Sequence, residues 1–112
     1  MHDRYMLIGH EPYKMHDLLV WGMWFEQADR RVAQTTVDDY WISTVFLGLD
    51  HSWIEGEVAL FETMIFDKSH KNGEMVKRHA TWDEAVASHN EAVKRCAHWN
   101  CRRHRHSRRN LL

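Results

Sequence analysis

The chain has 112 residues, 44 % of them apolar, with six Trp and four Phe. That length supports one core and not two, and that composition is too apolar for a disordered segment. The net charge of −1 hides a division: residues up to Glu91 sum to −8, and those after it carry seven Lys/Arg and no acid, so an acidic body precedes a basic tail.

No apolar run approaches the ~20 residues that span a bilayer, so no membrane partner is expected. The opening Met-His-Asp-Arg lacks the charged-then-apolar pattern of a signal segment, and a cytoplasmic location is the expectation. Cys96 and Cys101 are too few and too close together for a secreted disulfide framework, so free thiols are expected.

In chain order, Arg4 to Gly9 suits a short strand, and His10-Glu11-Pro12 suits a turn, because Pro interrupts a ladder. Tyr13 to Met15 gives a brief return. From Asp17 the period changes: Leu18, Trp21, Phe25 and Ala28 recur at helical spacing, with Leu19, Val20 and Trp24 widening the stripe. This predicts a helix over 17–29 with Asp17 as its N-cap and a Trp/Phe stripe packed into the core. Residues 31–37 (RVAQTTV) alternate as a strand does, and Asp38-Asp39 forms a two-residue turn.

The centre of the chain is WISTVFLGLD HSWIEGEVAL FETMIF, from Trp41 to Phe66. Two runs, 41–49 and 58–66, are rich in β-branched and aromatic residues and lack Pro, so they read as paired inner strands covered on both faces. With the loop centred near Ile54, Phe46 would oppose Glu62 and Gly48 would oppose Leu60. Ile42, Thr44, Phe46, Gly48 and Asp50 would then share a face with Leu60, Glu62, Met64 and Phe66, and Gly48 would leave a hollow there.

Residues 67–73 are turn-rich, and 74–81 (EMVKRHAT) read as a polar edge strand protected by Lys77 and Arg78. Thr81-Trp82-Asp83-Glu84 is a capping box. Ala85, His89, Ala92 and Cys96 then recur at helical spacing, predicting a second helix over 82–97 with His89 as a satisfied core histidine. The fold class is therefore α+β: an antiparallel meander of three to five strands with two helices, in the order β-α-β-β-β-β-α. Residues 1–97 form its single domain, and 98–112 a basic tail containing His and Cys.

The blocks DLLVW, WFEQADRRVA, STVFLGLDH, LFETMIF and ATWDEAVASH resemble a family of small uncharacterised proteins of phages and bacterial genomes. The likeness covers roughly 5–93, and its most specific parts are 43–51 and 60–66. Where family members usually carry a Gly/Pro-rich connection, this chain has 52–59 (SWIEGEVA). The basic stretch beyond Arg95 is not part of the pattern. The resemblance implies a phage or prophage setting, hence the cytoplasm of a bacterial host, and no mechanism.

Three constellations offer chemistry. Asp50, His51 and Glu62 are the candidate catalytic residues of a hydrolase-like enzyme, since a His beside a carboxylate can serve as a general base. In the expected register, however, Glu62 lies about 13 Å from the residue opposite Asp50, at ~3.3 Å per residue, which is too far for a carboxylate dyad. An Arg or a backbone donor paired with Glu62 is the structural alternative. Cys96, His98, Cys101, His104 and His106 have the residue types of zinc ligands, but Cys96 and His98 would face different ways on a helix. Arg102, Arg103, Arg105, Arg108 and Arg109, with Lys94, Arg95 and Trp99, have the types that track a phosphate backbone and stack a base.

No Ser or Cys nucleophile motif, Gly-rich phosphate loop or HExxH motif accompanies them, and no cofactor is expected. These features favour a non-enzymatic accessory protein that binds a host protein or nucleic acid and modulates it; interference with host defence is one form of this. A single helical layer would leave one sheet face open, and its apolar residues predict a homodimer.

Overall fold

A computed structural model describes the backbone of residues 2–69 and 73–110, and their side chains as far as Trp99. The strands are β1 (Tyr5–Ile8), β2 (Glu11–Lys14), β3 (Arg31–Val37), β4 (Tyr40–Phe46), β5 (Phe61–Phe66) and β6 (Gly73–His79); the helices are α1 (Leu18–Gln27) and α2 (Trp82–Asn110). The α+β class and the element order match the sequence expectation, with one strand more, β2, ahead of α1. β3-β4-β5-β6 form a four-stranded antiparallel meander, and β1-β2 form a separate two-stranded hairpin.

The central register differs from expectation by one residue. Phe46 pairs with Phe61, Val45 with Glu62 and Trp41 with Phe66. A one-residue slip moves every side chain of a strand to the other face. Ile42, Thr44 and Phe46 therefore share the covered face with Phe61, Thr63 and Ile65, while Glu62, Met64 and Phe66 face outward with Trp41, Ser43 and Val45. Both strands are also shorter than read. β4 ends at Phe46, and β5 begins at Phe61.

The chain leaves β4 at Gly48, whose φ of +79° suits glycine. Its backbone there pairs with the N-terminal segment: Tyr5 N–H donates to Gly48 O at 2.8 Å, and Asp50 N–H to Asp3 O at 2.9 Å. The hollow expected at Gly48 is filled, since an added Cβ would lie 2.9 Å from Phe25 Cε2. Pro12, expected to end a ladder, sits inside β2 opposite Leu7. β2 is an edge strand, where the missing N–H costs no ladder bond.

α2 crosses the covered face of the meander. Its buried residues Ala85, His89, Ala92 and Cys96 fall on one stripe. They divide the core into two apolar clusters, one around Ile42, Ile65, Ala92 and Cys96, the other around Phe46, Leu60, Phe61 and Ala85. A polar layer lies between them. His89 Nε2 is 2.8 Å from Thr35 Oγ1, His89 Nδ1 is 2.8 Å from Thr44 Oγ1, and Thr44 Oγ1 is 2.8 Å from Thr63 Oγ1. His89 is thus the satisfied core histidine the stripe predicted. Half of the capping box forms: Glu84 N–H donates to Thr81 Oγ1 at 3.2 Å, while Glu84 Oε1 accepts from the Thr81 hydroxyl at 2.8 Å and not from its backbone N–H.

α2 does not stop near Ala97 but continues to Asn110. Arg is a good helix former, and neither Gly nor Pro follows Ala97 to terminate the helix.

Candidate functional site

The residues nominated for catalysis each have separate structural partners. Asp50 Oδ1 accepts from the backbone N–H of Ser52 and of Ala59, both at 2.9 Å. Its carboxylate thereby clips the 50–59 connection. His51 donates its backbone N–H to Ala59 O at 2.9 Å, and its ring stacks on His2 with centroids 5.9 Å apart. Glu62 accepts from Arg78 Nε at 2.9 Å on the outward sheet face. Arg78, read as edge protection, is thus the partner of the odd carboxylate. Among the described residues, Glu62 makes its hydrogen bond and ion pair with Arg78, and neither Asp50 nor His51 is joined to it.

The metal candidates divide similarly. Cys96 is fully buried in an apolar cluster, and burial pushes its thiol up, with Arg95 opposing. A protonated core thiol is a poor ligand. The side chains of Cys101, His104 and His106 lie outside the described residues, as do those of Arg102, Arg103, Arg105, Arg108 and Arg109. Among the described residues, no group of three or more His, Cys, Asp or Glu could hold a metal ion. Trp99, nominated to stack a base, packs edge-on against Tyr40 at 5.6 Å and remains 36 % exposed.

The surface that sequence reasoning missed is the outer side of α1. Asp17 caps this helix, accepting from Leu19 N–H at 3.0 Å and Val20 N–H at 3.1 Å. The inner side is anchored, but on β1 and the Gly48 bend more than in the core: its aromatic residues are half-buried, and Trp24 is the one packed against a core cluster. Trp21 Nε1 donates to Tyr5 O at 3.0 Å, Trp24 meets Phe46 edge-on at 5.9 Å, and the Arg30 guanidinium lies 4.1 Å from the Phe25 ring centroid. The outer side has no such anchor. Leu18 is 60 % exposed, Leu19 73 %, Val20 44 % and Met23 62 %, and no residue of the helix is fully buried.

Leu18, Leu19, Trp21, Gly22, Met23 and Glu26 line a shallow groove of about 530 Å³ here. Gly22 forms a notch between the larger side chains, since nothing lies within 4 Å of where its Cβ would be. The signal was present in the sequence. LLVWGMWF is apolar all round, and a helix of that kind in a one-core domain can bury only one side in its own fold. The chain matches no family model, no curated protein and no solved structure.

Proposed function

We propose that this protein is a non-enzymatic binding protein that docks a partner protein through the outer ridge of α1. The observation that carries the reading is the exposure of Leu18, Leu19, Val20 and Met23 on one short helix. Contiguous exposed apolar surface marks interaction sites, whereas scattered single residues do not. Burying a Leu or Met side chain contributes about 1.5–3 kcal/mol. Leu18, Leu19, Val20 and Met23 are 44–73 % exposed, so each retains only that share of the gain, and together they offset part of an association cost of about 4–15 kcal/mol. The separate engagement of Asp50, His51 and Glu62 supports binding over hydrolysis.

The sequence resemblance supplies the setting for this reading: a phage-type accessory factor acting in the bacterial cytoplasm on a host protein, a host-defence component being one such target. The test is capture from a nuclease-treated bacterial lysate with the wild type and the Leu19→Glu/Met23→Glu variant. A host protein held by the wild type and lost with the variant, whose circular dichroism is unchanged, is the expected result. An identical captured set from both proteins counts against the ridge.

A second reading, nucleic-acid binding, is favoured by one observation. α2 continues as a helix to Asn110, and its last eleven residues carry five Arg and no acid. Like charges three and four apart destabilise an isolated helix, and a polyanion would relieve that repulsion. Labelled-oligonucleotide binding across a salt series tests it. A steep fall in affinity with salt is expected; weak binding that ignores salt rejects this reading.

A further inference from the structure

The outward face of the meander is a second surface, separate from the α1 ridge, and the geometry points to a second copy of this chain as its occupant. α2 packs on the opposite face, through Ala85, His89, Ala92 and Cys96. A one-sided antiparallel sheet normally turns polar residues to water. Here the outward positions of the two central strands include Trp41, Val45, Met64 and Phe66, and Met75 of β6 stands opposite Met64.

These side chains already support one another. Trp41 and Phe66 pack with ring centroids 5.0 Å apart. The Phe66 ring also lies across Gly73, where an added Cβ would be 2.5 Å from Phe66 Cε1, so glycine at the start of β6 lets the aromatic layer lie flat. The result is an apolar surface that is half-buried over the two central strands and becomes exposed at the edge strand, where Met75 is 48 % exposed.

Charge favours a copy of the same chain over a charged partner at this face. Glu62 and Arg78 neutralise each other on it, so two such faces meet without net repulsion. The body of the chain up to Glu91 carries −8, which opposes association of copies through its acidic surfaces. A two-fold pairing would place the same residues of both copies against each other. Four strands about 4.8 Å apart and roughly 20 Å long give a face of about 400 Å² in plan. With side-chain relief this approaches the low end of specific interfaces, about 600 Å² per partner, so the dimer is concentration-dependent.

The experiment is light scattering or sedimentation of the full chain from one to one hundred micromolar. Wild type is expected to move from the 13.5 kDa of one chain to twice that mass. Met64→Glu is expected to stay at one chain throughout. Met75→Glu, on an exposed edge position where folding is not at risk, is expected to weaken the dimer at least tenfold, and Leu19→Glu/Met23→Glu to leave it intact. A wild type that remains a single chain at one hundred micromolar overturns the inference. So does a dimer lost with the α1 variant and kept by Met75→Glu.

Discussion

Val45, not Phe46, stands opposite Glu62 on the neighbouring strand. That pairing turns the Glu62 carboxylate to the outward face, where Arg78 meets it at 2.9 Å, instead of into the layer beneath α2. A residue nominated as a site carboxylate is thereby one half of a cross-strand ion pair.

The pair sets the first prediction. The Glu62 side chain is only 14 % exposed, so its charge-assisted hydrogen bond is less screened than an ordinary surface pair. Glu62→Gln keeps the shape and loses the charge. It is expected to lower stability by about 1 kcal/mol, a fall in Tm of several degrees for a domain of this size. A double-mutant cycle with Arg78→Met should show coupling; strictly additive losses would mean that the contact contributes nothing.

Thr44 is the hub of the polar layer, contacting both Thr63 and His89. Thr44→Val preserves volume and removes the hydroxyl, leaving His89 Nδ1 and Thr63 Oγ1 buried without that partner. The expected cost is about 1–3 kcal/mol in urea unfolding. Thr44→Ser, which retains the hydroxyl, should lose less, and a Ser variant weaker than Val would contradict the role given to the bond.

Two buried histidines give the fold an acid sensitivity. Burial lowers the His89 pKa below its ordinary 6.5; His79 is lowered too, first by burial and then by Lys77, with Glu84 opposing. Below pH 6.5 the unfolded chain takes up protons that the folded chain resists. Their contribution is therefore fully present above pH 6.5, falls as pH drops beneath it, and levels off below the folded pKa values. Urea melts at pH 7.5, 6.5 and 5.5 should show a declining midpoint, with a smaller decline in His79→Phe. A midpoint that rises toward pH 5.5 contradicts this.

Gly48 combines a left-handed backbone with a contact to the Phe25 ring. Gly48→Ala meets a conformational penalty of about 1–2 kcal/mol and must also push Phe25 outward. Thermal unfolding should fall by more than that penalty alone, and near-ultraviolet circular dichroism should report the displaced α1 aromatics. An unchanged Tm would place α1 less tightly on this bend.

The fold class was legible because its signals were local. Alternation over 31–37, the cap at Asp17, the capping box at Thr81 and the 85-89-92-96 stripe each specify an element without reference to the rest. The pairing of β4 with β5 was not local in that sense. Leu60, Met64 and Phe66 are as apolar as Phe61 and Ile65, so both parities of β5 offer a plausible inner face. The bend at Gly48, just beyond β4, packs against the N-terminal segment and Phe25, contacts that are distant in sequence. The end of α2 is not legible in the sequence, because a shift from amphipathic to basic composition is not a stop signal.

The candidate site was half legible. Trp21, Trp24 and Phe25 form the inner side that the helical spacing indicates, although none is fully buried, and Leu18, Leu19 and Val20 are not separable from them in sequence because a continuous apolar run conceals which side turns out. Three-dimensional packing alone separates the two sides.

Amide hydrogen exchange on the complex with a captured host protein shows whether α1 is the docking surface. The amides of Leu18 to Gln27 are expected to exchange markedly more slowly in the complex than in the free protein. Unchanged exchange across α1, with protection elsewhere on the molecule, would contradict it.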